Sequence, residues 1–243
     1  MNIIKLDAIP STNDFLKEKL SRQYLENFTV VVAENQTGGK GQMGSIWEVQ
    51  SGKNLTFSVL VRDLLLDIQS VFHLNVAVAV SIAEALKLFS IPDLAIKWPN
   101  DILAENRKIG GILIENILKS DGEIFSIVGI GLNVNQVEFT DLPKAGSLFS
   151  ITGKVFDKEA VLTSVLEKLK LNLALLQSGN HEQFWKIYDA MLFRKGVPVS
   201  FEDTSGLRFM GIIQGVNCNG KLEVLLENDL ITEYGIKEVI LLY

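Results

Sequence analysis

Three stretches of this sequence set a lysine beside glycine or amide side chains in a way that suits binding of an anion. The first, Gly38-Gly39-Lys40-Gly41-Gln42-Met43-Gly44, follows an apolar, β-branched run from Phe28 to Glu34 and is followed by Trp47. Glycines let successive backbone amides turn toward one negative group and let a ligand come close. Gly39 to Gly44 matches G-x-G-x-x-G, a weak signal when it stands alone. Dinucleotide binding requires a helix after the loop, whereas here Trp47 to Lys53 leads into another strand, Leu55 to Val61. A protein-kinase reading requires His-Arg-Asp and Asp-Phe-Gly segments, and a phosphate-loop reading requires Gly-Lys-Ser/Thr. None of these occurs. What remains is a strand–loop–strand unit carrying Lys40, with Trp47 as an aromatic that needs a surface to pack on.

The second stretch, Ile96-Lys97-Trp98-Pro99-Asn100-Asp101, places Lys97 on an apolar strand. A lysine taken out of water needs an anionic partner. Asn100 and Asp101 suit a turn, and they also carry the oxygen ligands used by Mg²⁺–phosphate groups. In the third, Arg107-Lys108-Ile109-Gly110-Gly111-Ile112, two glycines open an apolar strand, a mark of close ligand approach. Val128-Gly129-Ile130-Gly131-Leu132-Asn133-Val134-Asn135 repeats that theme. Lys40, Lys97 and Lys108 together point to a small organic anion and a nucleotide sharing one sheet face.

The elements that must position these residues follow from periodicity. Ile3 to Leu6 reads as a strand, and Pro10-Ser11-Thr12-Asn13 caps an amphipathic helix reaching about Arg22. Ser70 to Leu88 is apolar almost all round and reads as a core helix. Leu94 to Trp98 is a short strand, Asn100-Asp101 a turn, and Ile109 to Leu118 with Phe125 to Ile130 a hairpin closed by Asp121-Gly122. Asp157 to Gln177, capped by Asp157, and Glu182 to Leu192 read as helices. From about Gly196, Val197 to Phe201, Leu207 to Gln214, Lys221 to Leu226 and Ile236 to Leu242 are short strands at regular spacing, the pattern of a small β-barrel. The fold class is α+β with a mixed, largely antiparallel sheet and helices on one side, divided into residues 1–192 and 193–243.

Composition narrows the function. The 243 residues are 47% hydrophobic with a formal charge of −6, and no basic stripe of a nucleic-acid binder is present. Val76 to Leu88 is interrupted by Ser81, Glu84 and Lys87 and falls short of the ~20 apolar residues of a membrane span. No secretory signal is evident, so the reading is cytoplasmic, with neither membrane nor nucleic acid as partner. Cys218 is the single cysteine, read as a buried inert thiol. His73, at the start of an apolar helix, and His181, in a loop, read as structural, which leaves a histidine triad or zinc site unsupported.

Taken in order, Ser11-Thr12-Asn13, Glu34 to Gly44 with Trp47, Lys97 to Asp101, Lys108 to Glu115 and Gly129 to Asn135 resemble the biotin–protein ligase family over nearly the whole chain. The resemblance implies the catalytic fold shared with class II aminoacyl-tRNA synthetases plus an SH3-like C-terminal barrel. It implies activation of biotin by ATP and Mg²⁺ to biotinyl-5′-AMP, then transfer to a lysine of a biotin carboxyl carrier protein. It places Ser11, Thr12, Asn13, Gln36, Gly39, Lys40, Gly41, Gln42, Lys108, Gly110 and Gly129 at biotin, with Lys40 and Lys108 catalytic. It places Trp47, Lys97, Asn100, Asp101, Asn133 and Ser147 at ATP, with Asn133 also at Mg²⁺. Where the family loop carries later arginines, this chain has Gln42 and Ser45. Some members carry an N-terminal DNA-binding domain; this chain opens on the first catalytic strand, so a repressor role is not expected. Members occur as monomers and as homodimers. The rival readings are a lipoate–protein ligase or octanoyltransferase, and a biotin sensor without catalysis.

Overall fold

A computed structural model of the chain describes residues 2–48, 50–62, 64, 71–119 and 122–243. The chain lays down β1 (Ile3–Ile9), β2 (Val30–Gln36), β3 (Leu55–Val61), β4 (Leu94–Lys97), β5 (Asp101–Ala104), β6 (Arg107–Leu118) and β7 (Ile124–Leu132). They form one sheet in the order β1-β2-β3-β7-β6-β5-β4, with β1 and β2 parallel and the other neighbours antiparallel. The mixed, largely antiparallel sheet is the expected one. The expected turn at Asn100-Asp101 shifts: Asp101 opens β5 and pairs with Lys97. β5 was not anticipated, because its hairpin to β6 turns on Glu105 and Asn106, both at positive φ, rather than on a glycine. Ser70, expected in the core helix, and Asp121, expected in the β6–β7 turn, lie outside the described residues.

Side-chain alternation decides what each sheet face does. On β7, Ile124, Val128, Ile130 and Leu132 face the larger core, while Phe125 and Ile127 face the opposite way. Helix α1 (Thr12–Arg22) covers that second face, burying Leu16 and Leu20 against Val31, Leu60, Phe125 and Ile127. Burial of each such side chain stabilises the fold by about 1.5–3 kcal/mol. Helix α2 (Val71–Leu88) lies on the first face, and short α3 (Leu148–Thr152) precedes α4 (Lys158–Gln177) and α5 (His181–Ala190), which pack on α2. Helices therefore occupy both faces rather than one. An amphipathic stripe says that α1 buries a face; it does not say against which side of the sheet. Sandwiching between sheet and α4 explains why α2, though apolar and long enough to cross a membrane, is a buried core helix.

The remaining strands, β8 (Pro198–Asp203), β9 (Arg208–Val216), β10 (Leu222–Leu226), β11 (Ile231–Tyr234) and β12 (Val239–Leu242), form a second, antiparallel sheet ordered β11-β10-β9-β8-β12. It has one strand more than the sequence pattern suggested, β11 being short and half polar. Trp98 Nε1 donates to Gly220 O at 2.8 Å, and Phe201, Ile213, Leu222 and Val224 join the core cluster that contains Trp98. The second sheet is thus anchored beside the β4–β5 turn. Cys218 is exposed in the β9–β10 turn, not buried as expected; Asn217 and Gly220 shape that turn and hold the thiol outward. His181 opens α5 rather than sitting in a loop.

Candidate active site

The cavity lies where the cover of α1 ends. Beyond Ile127, the same face of β7 continues with Gly129 and Gly131, and Gly111 lies beside them on β6. Without side chains these positions leave a floor of bare backbone. A Cβ on Gly129 would stand 2.6 Å from Asn13 Oδ1, and one on Gly131 would stand 2.4 Å from the Trp47 ring. A Cβ on Gly111 would stand in van der Waals contact with Trp47 and the Lys108 side chain. Gly110 points to the other face, where a Cβ would meet Leu132 at 2.6 Å, so its smallness serves sheet packing. The cavity holds about 280 Å³.

One end of it is polar. Ser11, the N-cap of α1, accepts from Asp14 N–H at 3.3 Å. Gln36 Oε1 accepts from both Thr12 N–H (2.8 Å) and the Thr12 hydroxyl (3.0 Å), which leaves the Gln36 amide nitrogen as a donor. Ser11, Thr12 and Asn13 are almost fully buried, yet they line the cavity, so a ligand with urea-like donors and acceptors would find partners there.

The other end is cationic and is built by the Lys97–Asp101 segment. Asn75 on α2 donates to Pro99 O at 2.8 Å. Asn100 exchanges two bonds with Ile112 on β6, donating from its side-chain amide at 2.6 Å and accepting Ile112 N–H on its main-chain carbonyl at 3.0 Å. With that turn fixed, Asp101 meets Lys108 at 2.6 Å and Lys97 at 3.6 Å. Two ammonium groups share one carboxylate, an arrangement that leaves net positive charge facing the cavity. Burial pushes the Lys97 ammonium below its ordinary pKa; Asp101 works against that and Lys108 adds to it. Lys40 stands apart, paired with Asp14 at 2.6 Å, and that partner raises its pKa.

The glycine loop closes as a small hairpin. Trp47 N–H donates to Gly39 O at 3.0 Å and Gly41 N–H to Ser45 O at 2.7 Å, with a tight turn at Gln42–Gly44 where Met43 adopts φ +53°. Gly39 is required because a Cβ there would lie 2.3 Å from Trp47 O. Trp47 lies across the glycine floor, with Lys108 Nζ 5.6 Å from its ring centroid. Its indole N–H is buried without an acceptor, a donor aimed at something the protein itself does not supply. Met43 and Ile46 are exposed apolar groups at the hairpin tip. Lys237, from the second sheet's β11–β12 turn, donates to Met43 O.

Of the residues singled out from sequence, Ser11, Thr12, Asn13, Gln36, Lys40, Gly41, Gln42, Trp47, Lys97, Asn100, Asp101, Lys108 and Gly129 line this one cavity. Gly39, Gly110, Asn133 and Ser147 do not. Asn133 donates to Gly146 O at 2.9 Å and keeps its Oδ1 buried and unpaired, while Ser147 is the N-cap of α3 and donates to Gln136 O. Sequence reasoning missed Thr56, the C-terminal wall formed by Ile236, Lys237 and Val239 to Leu241, and Ser58, which supports Thr12 and Asn13 from below. Thr56 and Ser58 carried a readable signal: two polar residues alternating with Leu55, Phe57 and Val59 on one strand. His73 and His181 pack together beside Cys218 at a separate cleft. Among the described residues no three His, Cys, Asp or Glu side chains group as metal ligands.

Residues 6–135 match the model of the biotin/lipoate A/B protein ligase family. The chain is 34% identical over 242 residues to the bifunctional ligase/repressor BirA of Bacillus spizizenii, covering 98% of this chain and 72% of that protein. It is 29% identical over 225 residues to the biotin–[acetyl-CoA-carboxylase] ligase of Mycobacterium tuberculosis, covering 90% of this chain and 82% of that one. Among solved structures, the biotin protein ligase of Aquifex aeolicus in complex with biotin and ATP superposes with a TM-score of 0.82 at 29% identity, covering 99% and 98% of the two chains. The cavity, its glycine floor and its paired lysines are therefore those of a chain that belongs to the biotin/lipoate A/B protein ligase family.

Proposed function

We propose that this chain is an ATP-dependent biotin–protein ligase that forms biotinyl-5′-AMP and passes the biotinyl group to a lysine of a carboxylase carrier domain. The observation that carries the reading is the convergence of Lys97 and Lys108 on Asp101 at the rim of a glycine-floored cavity. The Aquifex relative, described in complex with biotin and ATP, supports the choice of ligands.

In the first half-reaction the biotin carboxylate attacks the α-phosphorus of ATP, and pyrophosphate leaves. Two anions must meet, so the step depends on fixed positive charge near the carboxylate and the leaving group. Lys108 would lie along the carboxylate and α-phosphate, Lys97 nearer the leaving phosphates, and Ser11, Thr12 and Gln36 would hold the ureido ring at the polar end. Lys40 enters from the loop and would exchange Asp14 for a phosphate oxygen as the loop closes. In the second half-reaction a carrier lysine, as free amine, attacks the acyl carbon and AMP departs. Trp47 and the hairpin would shield the mixed anhydride from water between the two steps. The C-terminal unit, residues 193–243, completes the wall above residues 1–192.

For Mg²⁺ the residues present do not build an ion site of their own. Among the described residues Asp101 is the one carboxylate in the cavity wall and is already held by two lysines, and Asn133 Oδ1, though unpaired, lies outside that wall. Mg²⁺ would accordingly arrive on the phosphates of ATP, with no side-chain cage.

Incubated with biotin, ATP and Mg²⁺, the purified protein should release pyrophosphate and label a biotin carrier domain. Labelling with lipoate and not biotin would overturn the substrate; biotin binding without adenylate would make the chain a sensor. Protease cutting between Gly38 and Gly44 should slow at least severalfold when biotin and ATP are both present. Unchanged cutting would contradict closure of the hairpin.

A further inference from the structure

The polar end of the cavity rests on a chain of hydrogen bonds whose direction is set from outside the cavity. Asn13 Nδ2 donates to Glu115 Oε2 at 2.7 Å and, weakly, to Leu113 O at 3.4 Å. The other Glu115 oxygen is held by Lys17 Nζ, which also lies 3.6 Å from Asp14. Ser58 donates to Asn13 Oδ1, its hydroxyl is 2.7 Å from that of Thr12, and Thr12 reaches Gln36 Oε1. Thr12, Asn13 and Ser58 are buried, and Glu115 does not line the cavity.

We propose that Glu115, clamped by Lys17, is a positioning residue that fixes the donor–acceptor polarity of the wall facing the ligand. The reasoning counts protons. An ionised carboxylate only accepts, so Asn13 must turn its NH₂ toward Glu115 and its carbonyl toward Ser58. Ser58 has one hydroxyl proton, and that carbonyl takes it. The Thr12 hydroxyl must then give its proton inward, to Ser58 or Gln36, and it presents lone pairs to the cavity. Gln36, whose Oε1 is engaged by Thr12, presents its NH₂. The wall thus offers an acceptor at Thr12 and a donor at Gln36, the complement of a ureido N–H and C=O. This inference rests on the biotin reading above.

Replacing the carboxylate by an amide of the same shape reverses the chain. In Glu115→Gln, Lys17 can only donate and so captures the introduced carbonyl, which turns the introduced NH₂ toward Asn13. Asn13 must flip, Ser58 must accept from it, and the Ser58 proton is sent to Thr12. Thr12, whose own proton still goes to Gln36 Oε1, then loses a lone pair to Ser58. Asn13, which lines the cavity, exchanges its oxygen and nitrogen there, so a ligand N–H meets a donor where it met an acceptor.

The test is steady-state kinetics and calorimetric biotin binding on three variants, with the melting temperature measured alongside. Glu115→Gln should weaken biotin about ten- to a hundredfold, with the KM for ATP and kcat at saturating biotin nearly unchanged. Ser58→Ala, which cuts the chain without altering charge, should weaken biotin in the same direction. The double variant Asn13→Asp/Glu115→Gln should recover most of the loss, because the introduced carboxylate accepts from both the introduced amide and Ser58. A residue serving only stability would show no such rescue. Normal biotin affinity in both single variants, or a folded double variant no better than Glu115→Gln, would overturn the proposal. Failure of the unaltered protein to bind biotin would overturn the ligand assignment, and the proposal with it.

Discussion

Replacing Lys108 by alanine is expected to slow adenylate formation by about a hundred- to a thousandfold, the scale at which loss of one fixed electrostatic stabiliser is felt. Lys108 is a third exposed and projects from β6 at the point where its ammonium meets Asp101 and lies under Trp47. The other cations of the wall lie elsewhere: Lys97 on the far side of Asp101 at 3.6 Å, Lys237 at Met43 O, and Lys40 on the glycine loop beside Asp14. The variant should stay folded, because Asp101 keeps Lys97 and the main chain of residue 108 keeps its bonds to Lys144 and Gly146. The loss should fall on kcat more than on KM, since the charge that Lys108 meets builds up on the reacting phosphate in the transition state. Lys108→Arg should recover only part of the rate, a planar guanidinium being a poor replacement for a point charge wedged beneath an indole. Single-turnover pyrophosphate release measures this. A Lys108→Ala rate within about threefold of the unaltered protein would remove Lys108 from the mechanism.

The parts of this site legible in the sequence were the local ones. Glycine hairpin, paired glycines and Lys-Trp-Pro-Asn-Asp each declare themselves within a dozen residues, and the structure brings them to one cavity. Parts that depend on distant pairing were not legible. Asp101 as the hub between two lysines requires β5, which was hidden behind a turn without glycine. Ser58 meets Thr12 across 46 positions, and Glu115 meets Asn13 across 102. Periodicity places each on a strand without revealing its partner. Burial statistics misled at Cys218: a free cysteine is usually buried, but Asn217 and Gly220 around it already spelled a turn. The fold class was legible because alternation and helical stripes are short-range signals, whereas the side of the sheet that α1 covers was not. That choice also fixes where the cavity lies, since the site begins where the side chains under α1 give way to glycine.

Adding a single methyl group to that floor, in Gly131→Ala, should leave the protein folded and lower its catalytic efficiency by about ten- to a hundredfold. The backbone there is an ordinary strand pairing with Thr56 and Gly111, so alanine costs nothing in dihedral strain. The obstacle is Trp47, three of whose ring atoms would lie within 2.7 Å of the new carbon. Of the two, the ring must yield, because it sits on a hairpin with an exposed tip while β7 lies mid-sheet between β3 and β6. Moving Trp47 displaces the indole N–H, uncovers Lys108 and lifts the shield from the anhydride, so part of the ATP consumed should appear as AMP and free biotin without labelled carrier. Gly110→Ala provides the contrast. Its methyl would press Leu132 on the opposite face, an overpacking of roughly 1–3 kcal/mol that should appear as a melting point lower by several degrees. Trp47 emission, read against the constant background of Trp98 and Trp185, reports whether the ring has moved. Unchanged emission together with full efficiency in Gly131→Ala would mean that Trp47 does not lie on the glycine floor during turnover.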